Sequence, residues 1–296
     1  MSWEDPLPQA RRAFRRGSRS FSAAALLFDG ATRRDVTLLY AWCRHCDDVI
    51  DGQVLGHGRP QAASLTALAV LEAQTRQAFG PEPMTDPAFA ALQSVALRRG
   101  IPEALALGHL DGFRMDVESR HYETIGDTLD YCYHIAGVVG LMMAHVMGVR
   151  EPATLGRACD LGIAFQLTNI ARDITEDAAN GRVYLPAEWL REAGLTPVDL
   201  ACGRSLPALA TVASRLLGVA DQYYASAELG IAALPWRSAW AVATARAVYR
   251  DIGTQVLRRG ADAWRSRAST SGGRKLLLTM RSLAGLTLRP APMLDG

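Results

Sequence analysis

The chain has 296 residues, with 49% hydrophobic and 21% charged side chains; 32 basic against 30 acidic groups leave a net charge of +2. That length suffices for one large hydrophobic core and lies at the upper edge of what single cores reach, ~250–300 residues. The balanced charge, with neither a basic recognition helix nor an aromatic RNA-binding motif, excludes nucleic acid as a partner.

Five cysteines, an odd number without disulfide spacing, suit a reducing, cytoplasmic setting. No Ser/Gly linker or charge block divides the chain, and the loop-like stretches at 80–87, 194–197 and 271–273 are short, so residues 1–296 read as a single domain. Long Ala/Leu/Arg stretches at helical spacing, with few alternating β-branched runs and no fixed-period repeat, predict an all-α helical bundle.

In chain order, residues 1–8 read as a frayed end and 9–19 as a basic segment with arginines at 11, 12, 15, 16 and 19. A secretory or twin-arginine signal is the competing reading of this segment. It is disfavoured because the apolar run at 21–28 is short and stops at Asp29-Gly30. Residues 36–51 form a helix ending in YAWCRHCDDVID, with Asp47 and Asp51 at i,i+4 and Arg44 one turn earlier; a glycine-rich exit follows at 52–60. Arg44 serves there as an intrahelical ion pair or as a bidentate phosphate contact. His45 and Asp48 fall off the Asp47/Asp51 face. Cys43 and Cys46 make a CxxC without a second pair, which fits core packing better than zinc or redox chemistry.

Residues 62–79 and 88–99 read as amphipathic scaffold helices, and Pro102 starts the next helix near N1. The 104–120 stretch carries Asp111, Arg114, Asp116 and Glu118, read mainly as a solvated face. Thr124 opens a further helix, and 131–149 is apolar on all sides. It is too short and too interrupted by His134 and His145 to span a bilayer, so it reads as a central buried helix. Ala136 and Gly140 within it permit close helix packing.

In FQLTNIARDITED, residues 165–177, Gln166, Asn169, Asp173 and Asp177 recur every three or four residues and so form one polar stripe on an apolar helix body. Alone, such a stripe is cheap on a solvated face, since like charges at i,i+4 destabilise by only ~0.2–0.5 kcal/mol. Two acidic helices together need a cation, because neighbouring carboxylates repel by ~1 kcal/mol in water and ~4 kcal/mol at an effective dielectric near 20. Magnesium, with manganese as substitute, takes oxygen ligands and completes its shell with water and substrate phosphate. The paired stripes therefore read as a metal-diphosphate site. The loop ANGRVYLP at 178–186 follows, its Arg182 being either a phosphate contact or a helix-end cap. Residues 206–229 and 239–258 complete the bundle, with Tyr249 two residues before Asp251. Arg267 and Lys275, the single lysine, lie in a Ser/Gly-rich segment read as flexible. The stretch 276–294 is apolar with Arg281 and Arg289. It suits a membrane interface, or a last helix packed on the bundle.

Ser18-Arg-Ser-Phe21, YAWCRHCDDVID, Tyr131-Cys-Tyr-His-Ile-Ala-Gly-Val-Val-Gly140, FQLTNIARDITED, Gly181-Arg-Val-Tyr-Leu-Pro186, Tyr249 and Lys275 follow one another over most of the chain. In this order they resemble the squalene/phytoene synthase family of head-to-head prenyltransferases, most closely its bacterial phytoene synthase branch. The acidic positions show no departure. The resemblance implies an isoprenoid-synthase-type bundle with a central cavity. It implies condensation of two geranylgeranyl diphosphates through prephytoene diphosphate to phytoene, in carotenoid biosynthesis, with magnesium and without NADPH. It implies metal binding and catalysis by Asp47, Asp51, Asp173 and Asp177, with Asn169 as a further ligand and Tyr249 in the catalytic set. Substrate contacts carried over in the same way are Ser18, Ser20, Tyr40, Arg44, Tyr131, Gln166, Asn169, Arg172, Arg267 and Lys275, and phosphate for Arg182. Ala136, Gly140 and Ala158 would border the prenyl tails.

No residue stands out as the terminal base; the released diphosphate or a tyrosine remains open. The expected partners are prenyl diphosphates, the inner face of a membrane touched peripherally, and a downstream carotenoid desaturase. Two other readings stand beside this one. The first is a squalene or dehydrosqualene synthase using farnesyl diphosphate. The second is a catalytically silent scaffold with the same fold, against which the opposed oxygen side chains argue.

Overall fold

The computed structural model describes residues 6–17, 23–52 and 64–287, and among these there are helices and no strands. Helix α1 spans Leu7–Gly17, and α2 spans Gly30–Asp51. The second helix starts six residues earlier than the apolar pattern predicts because Asp29 caps it, accepting from the Thr32 amide at 2.9 Å. It stops at Gly52, whose φ of 61° suits glycine. Helices α3 (Leu65–Ala78) and α4 (Pro87–Arg99) are capped by Ser64 and Asp86. Pro102 is the N-cap of α5 (Glu103–Val117) rather than its first turn. Thr124 and Asp127 close a reciprocal capping box on α6 (Ile125–Cys132).

The predicted continuous helix over 131–149 is interrupted. A π-helical turn at Tyr133–Gly137 separates α6 from α7 (Val138–Val146). The longest helix, α8 (Pro152–Ala179), carries the second acidic stripe. Short helices α9 (Ala187–Glu192) and α10 (Pro197–Ala201) lead into α11 (Leu206–Ile231) and α12 (Trp236–Arg259). The chain then reaches α13, Gly272–Thr287, so Lys275 belongs to the first turn of a helix and not to a flexible loop. The earlier half of the 276–294 tail is thus the last helix, packed on α12; residues 288–296 lie outside the described region.

Two apolar cores form. Trp42, Leu38, Phe89, Leu92 and Leu110 centre one, built from α2, α4 and α5. Leu167, Leu209, Leu216 and Tyr224 centre the other, between α8 and α11. Each fully buried side chain of this size stabilises by ~1.5–3 kcal/mol relative to exposure. Helix α8 lies between them, touching α7, the π-turn, α11 and α12. Glycines allow the closest of these approaches. A Cβ on Gly140 would stand 2.2 Å from the Ala158 carbonyl oxygen, and one on Gly162 would stand 2.1 Å from that of Ala136. Cys43 and Cys46 pack in α2, and burial pushes the Cys43 thiol up to about 12, in keeping with a structural role.

Candidate active site

Between the two cores lies a cavity of about 1050 Å³. Its wall on α8 runs from Thr154 to Arg172, a rise of roughly 27 Å at 1.5 Å per residue. One end is apolar, with Phe28, Phe113, Met143, Met147 and Leu234. The other end is polar, where Tyr40, Arg44 and Asp47 of α2 meet Asn169 and Arg172 of α8, Tyr249 of α12, Arg267, and Lys275 of α13. Ala136, Gly140 and Ala158 border the space between. Both readings of Gly140 hold: the missing side chain admits the α8 backbone, and the residue borders the cavity.

The helical spacing does bring the acidic stripes to one region, where arginines neutralise them. Arg44 reaches Asp47 at 2.9 Å and grips Asp48 through Nε and Nη2 at 2.9 and 2.8 Å, so Asp48, set aside on spacing, anchors the guanidinium. His45 turns away and packs edge-on against Phe89. Asp51 accepts from Arg182 at 2.6 Å, across 131 positions of sequence, which makes the Arg182 side chain a partner of the first acidic helix, while its backbone N–H donates to the Asp177 carbonyl at the end of α8 at 2.9 Å. Asp173 accepts from Arg172 Nε at 2.8 Å and from Arg267 at 2.9 Å. Asn169 donates to Gln166 at 3.3 Å, and Tyr249 stacks on Phe165 with centroids 4.2 Å apart.

The arginines leave residual strain between the carboxylates. Desolvation pushes Asp47 up to about 6 against the pull of Arg44, with Asp51 and Asp48 adding repulsion. Burial pushes Asp177 up to about 8, helped by Asp173 and Glu176. Among the described residues no three Asp, Glu, His or Cys side chains already converge as a ligand cluster. The donor set is nevertheless all oxygen, carboxylate and amide. A hard divalent cation is the charge that would relieve Asp47 and Asp177 together, so the residues fit magnesium.

Tyr131 is buried beside the site without bordering the cavity. Its hydroxyl donates to Asp116 at 3.2 Å, and the Tyr184 hydroxyl donates to the same carboxylate at 2.8 Å, with the two rings stacked 4.4 Å apart. Asp116 is therefore not on a solvated face. Burial raises it to about 6, opposed by Arg182 and by the two tyrosines. Nothing local marks it, since its partners come from α6 and from the loop after α8. His109, also unremarked in the sequence, stands in the cavity wall with both ring nitrogens buried and unbonded, beside Trp42 and Phe113. Ser18 and Ser20 lie outside the described residues.

The family model for squalene/phytoene synthase matches residues 14–274. A phytoene synthase of Pseudescherichia vulneris is 56% identical over 95% of this chain and 92% of its own length. A 15-cis-phytoene synthase of Enterobacter agglomerans is 57% identical over 93% and 94%. Among solved structures, a ligand-bound dehydrosqualene synthase superposes with a TM-score of 0.82 at 27% identity, over 96% of this chain and 99% of that one. Both acidic helices fall within the residues that the family model matches, and sequence and shape agree over nearly the whole chain. The chain belongs to the squalene/phytoene synthase family.

Proposed function

We propose that the chain is a phytoene synthase, joining two geranylgeranyl diphosphates head to head and releasing diphosphate. The observation that carries this reading is one cavity, largely apolar along its length, with Arg44, Asp47, Asn169, Arg172, Arg267 and Lys275 gathered at one end, in a chain more than half identical to phytoene synthases along nearly its whole length. The wall along α8 is long enough for extended prenyl tails, and its apolar lining recognises hydrocarbon without directional contacts.

At the polar end, Asp47, Asp51, Asn169, Asp173 and Asp177 would hold magnesium, which neutralises the leaving diphosphate and so makes its departure feasible. Arg44, Arg172, Arg267 and Lys275 border the same end and add fixed positive charge toward the departing oxygens. Asp173 keeps Arg172 and Arg267 aligned while they wait for phosphate. Below them the stacked Phe165 and Tyr249 present aromatic faces to the allylic cation, and the apolar wall keeps water from it. Ala136, Gly140 and Ala158 leave room for the second tail to lie against the first, which orients the alkene. The proton given up at the end passes to the released diphosphate, the base that the reaction itself sets free in the site. The hydrocarbon so made would next meet a desaturase.

A squalene or dehydrosqualene synthase using farnesyl diphosphate is the second reading, favoured by the 0.82 TM-score to a dehydrosqualene synthase. One experiment separates the two. Purified protein is incubated with magnesium and each prenyl diphosphate, with and without NADPH, and the hydrocarbon is identified. Phytoene from geranylgeranyl diphosphate without NADPH is expected. A product formed from farnesyl diphosphate alone, or a strict need for NADPH, replaces this reading with the second.

A further inference from the structure

Among the described residues, the charged side chains bordering the cavity are Arg44, Asp47, Arg172, Arg267 and Lys275 at the mouth, and Arg157 far from it. Arg157 lies fifteen residues before Arg172 on α8, and so about 22 Å down the wall at 1.5 Å per residue. Its neighbours in the lining are Thr154, Ala227, Gly230, Ile231 and Leu234, small or apolar but for one hydroxyl. A cation facing hydrocarbon would be costly there. The structure avoids that cost by dividing the side chain. The guanidinium turns outward, where Nη1 donates to the Ser226 hydroxyl of α11 at 2.5 Å and stands 3.7 Å from the Asp160 carboxylate, which also accepts from Ser226. The aliphatic stem presses on the α11 backbone: a Cβ built on Gly230 would stand 2.5 Å from the Arg157 Cβ and 3.1 Å from its Cγ. With its side chain 42% exposed and the residue still bordering the cavity, Arg157 is a wall one side chain thick, polar outside and hydrocarbon inside.

The depth of this wall matches one tail length. A geranylgeranyl tail extends about 20 Å, a farnesyl tail about 14 Å and a geranylfarnesyl tail about 25 Å, at roughly 1.3 Å of advance per main-chain bond of about 1.5 Å. From a diphosphate held beside Arg172, the first ends at Arg157, the second stops short of it and the third overruns it. We infer that the Arg157 stem, clipped from outside by Ser226 and Asp160 and seated on Gly230, is the stop that sets the longest prenyl tail the cavity accepts. The inference rests on the proposed function for the direction of the substrate, diphosphate at the mouth and tail along α8. The stop sets an upper limit, since a shorter tail enters without touching it. Because the surface it presents is hydrocarbon, it acts through volume and not through charge.

The test is binding of the non-hydrolysable thiolodiphosphates of farnesol, geranylgeraniol and geranylfarnesol to the full chain in magnesium, by titration calorimetry. The wild type should bind the geranylgeranyl analogue at least ten-fold more tightly than the geranylfarnesyl one. Arg157→Ala, which removes the stem beyond Cβ, should reduce that ratio to about three-fold or less. Arg157→Met keeps a stem of similar length without the guanidinium and should preserve the ratio. Should Arg157→Ala fold poorly by circular dichroism, Ala227→Leu supplies the opposite arm. Its added branch fills the same end, so affinity for the geranylgeranyl analogue should fall at least ten-fold while that for the farnesyl analogue stays within about two-fold. A merely structural role for Arg157 would weaken all three analogues together and leave the ratio as in the wild type. That result overturns the inference, as does Arg157→Met behaving like Arg157→Ala, a folded Ala227→Leu that weakens both analogues alike, or a wild type that binds the geranylfarnesyl analogue as tightly as the geranylgeranyl one. Binding needs no turnover, so the two readings fail separately. Phytoene from the wild type beside an unchanged ratio in Arg157→Ala sinks this inference alone; the expected shift in ratio without any hydrocarbon product sinks the proposed function alone.

Discussion

Replacing Gly162 by alanine tests whether the contact between the π-turn and α8 is set by missing side chains. The new Cβ would lie 2.1 Å from the Ala136 carbonyl oxygen, 2.7 Å from its carbon and 3.0 Å from the Gly137 Cα, all of them backbone atoms. No rotamer change can relieve that overlap, so the π-turn and α8 must separate. Overpacking of this kind destabilises by ~1–3 kcal/mol, while alanine recovers about 0.8–1 kcal/mol of helix propensity over glycine. Because the overlap is with backbone, the upper half of that overpacking range applies, and the expected net loss is ~1–2 kcal/mol, a fall in Tm of about 2–8 °C for a domain of this size class. The internal control is Gly156, on the same helix and with nothing within 4 Å of a built Cβ. There the propensity gain is unopposed, and Gly156→Ala should raise stability by about 0.4–1 kcal/mol. Thermal unfolding followed by circular dichroism measures both variants side by side. A Gly162→Ala protein as stable as the wild type, or stabilised like Gly156→Ala, would refute the argument that backbone contact at this position holds the cavity wall.

Asp173→Asn should lower turnover about 100-fold or more while helicity stays intact, because it removes the charge that aligns Arg172 and Arg267 along with a proposed metal ligand; loss of the helical spectrum would return the residue to a structural role. EDTA should abolish hydrocarbon formation, and magnesium or manganese should restore it; undiminished turnover in chelated protein rules the metal out. Lys275→Ala should slow the reaction with Tm shifted by no more than about 2 °C, as substitutions outside a packed core change stability by less than ~0.5 kcal/mol; unchanged kinetics would remove Lys275 from the site. His109 is buried neutral and held down to about 4 from its usual 6.5. The unfolded chain therefore binds the proton first, and stability falls as pH drops from about 6.5 toward 4. Between pH 7.5 and pH 5 this one group should contribute a loss of about 2 kcal/mol, read from urea midpoints, and His109→Met should lack that contribution.

Periodicity alone decided the helical class and the two acidic faces, since residues three and four apart on a helix must share a face whatever surrounds it. Asp47 with Asp51, and Asn169 with Asp173 and Asp177, are local patterns, legible wherever the helix goes. Which groups answer those charges is not local. Arg182 reaches Asp51 from 131 positions away, Arg267 reaches Asp173 from 94, and the tyrosines that hold Asp116 come from two other elements. The bland reading of Asp116 failed for that reason, since its burial is produced by segments that spacing along α5 cannot see. The interruption at Tyr133–Gly137 was equally hidden. A uniformly apolar run has no phase to lose, and it is the carbonyl of Ala136 lying against Gly162 that accompanies the π-turn. Lys275 looked like a loop cation because the Ser/Gly segment before it has no periodicity, but helix α13 begins at Gly272 and packs on α12, so its first turn brings the lysine to the cavity. Local sequence thus determined which side chains stand together on a helix; tertiary packing decided which helices meet, because the contact between them depends on volume and charge contributed from distant parts of the chain.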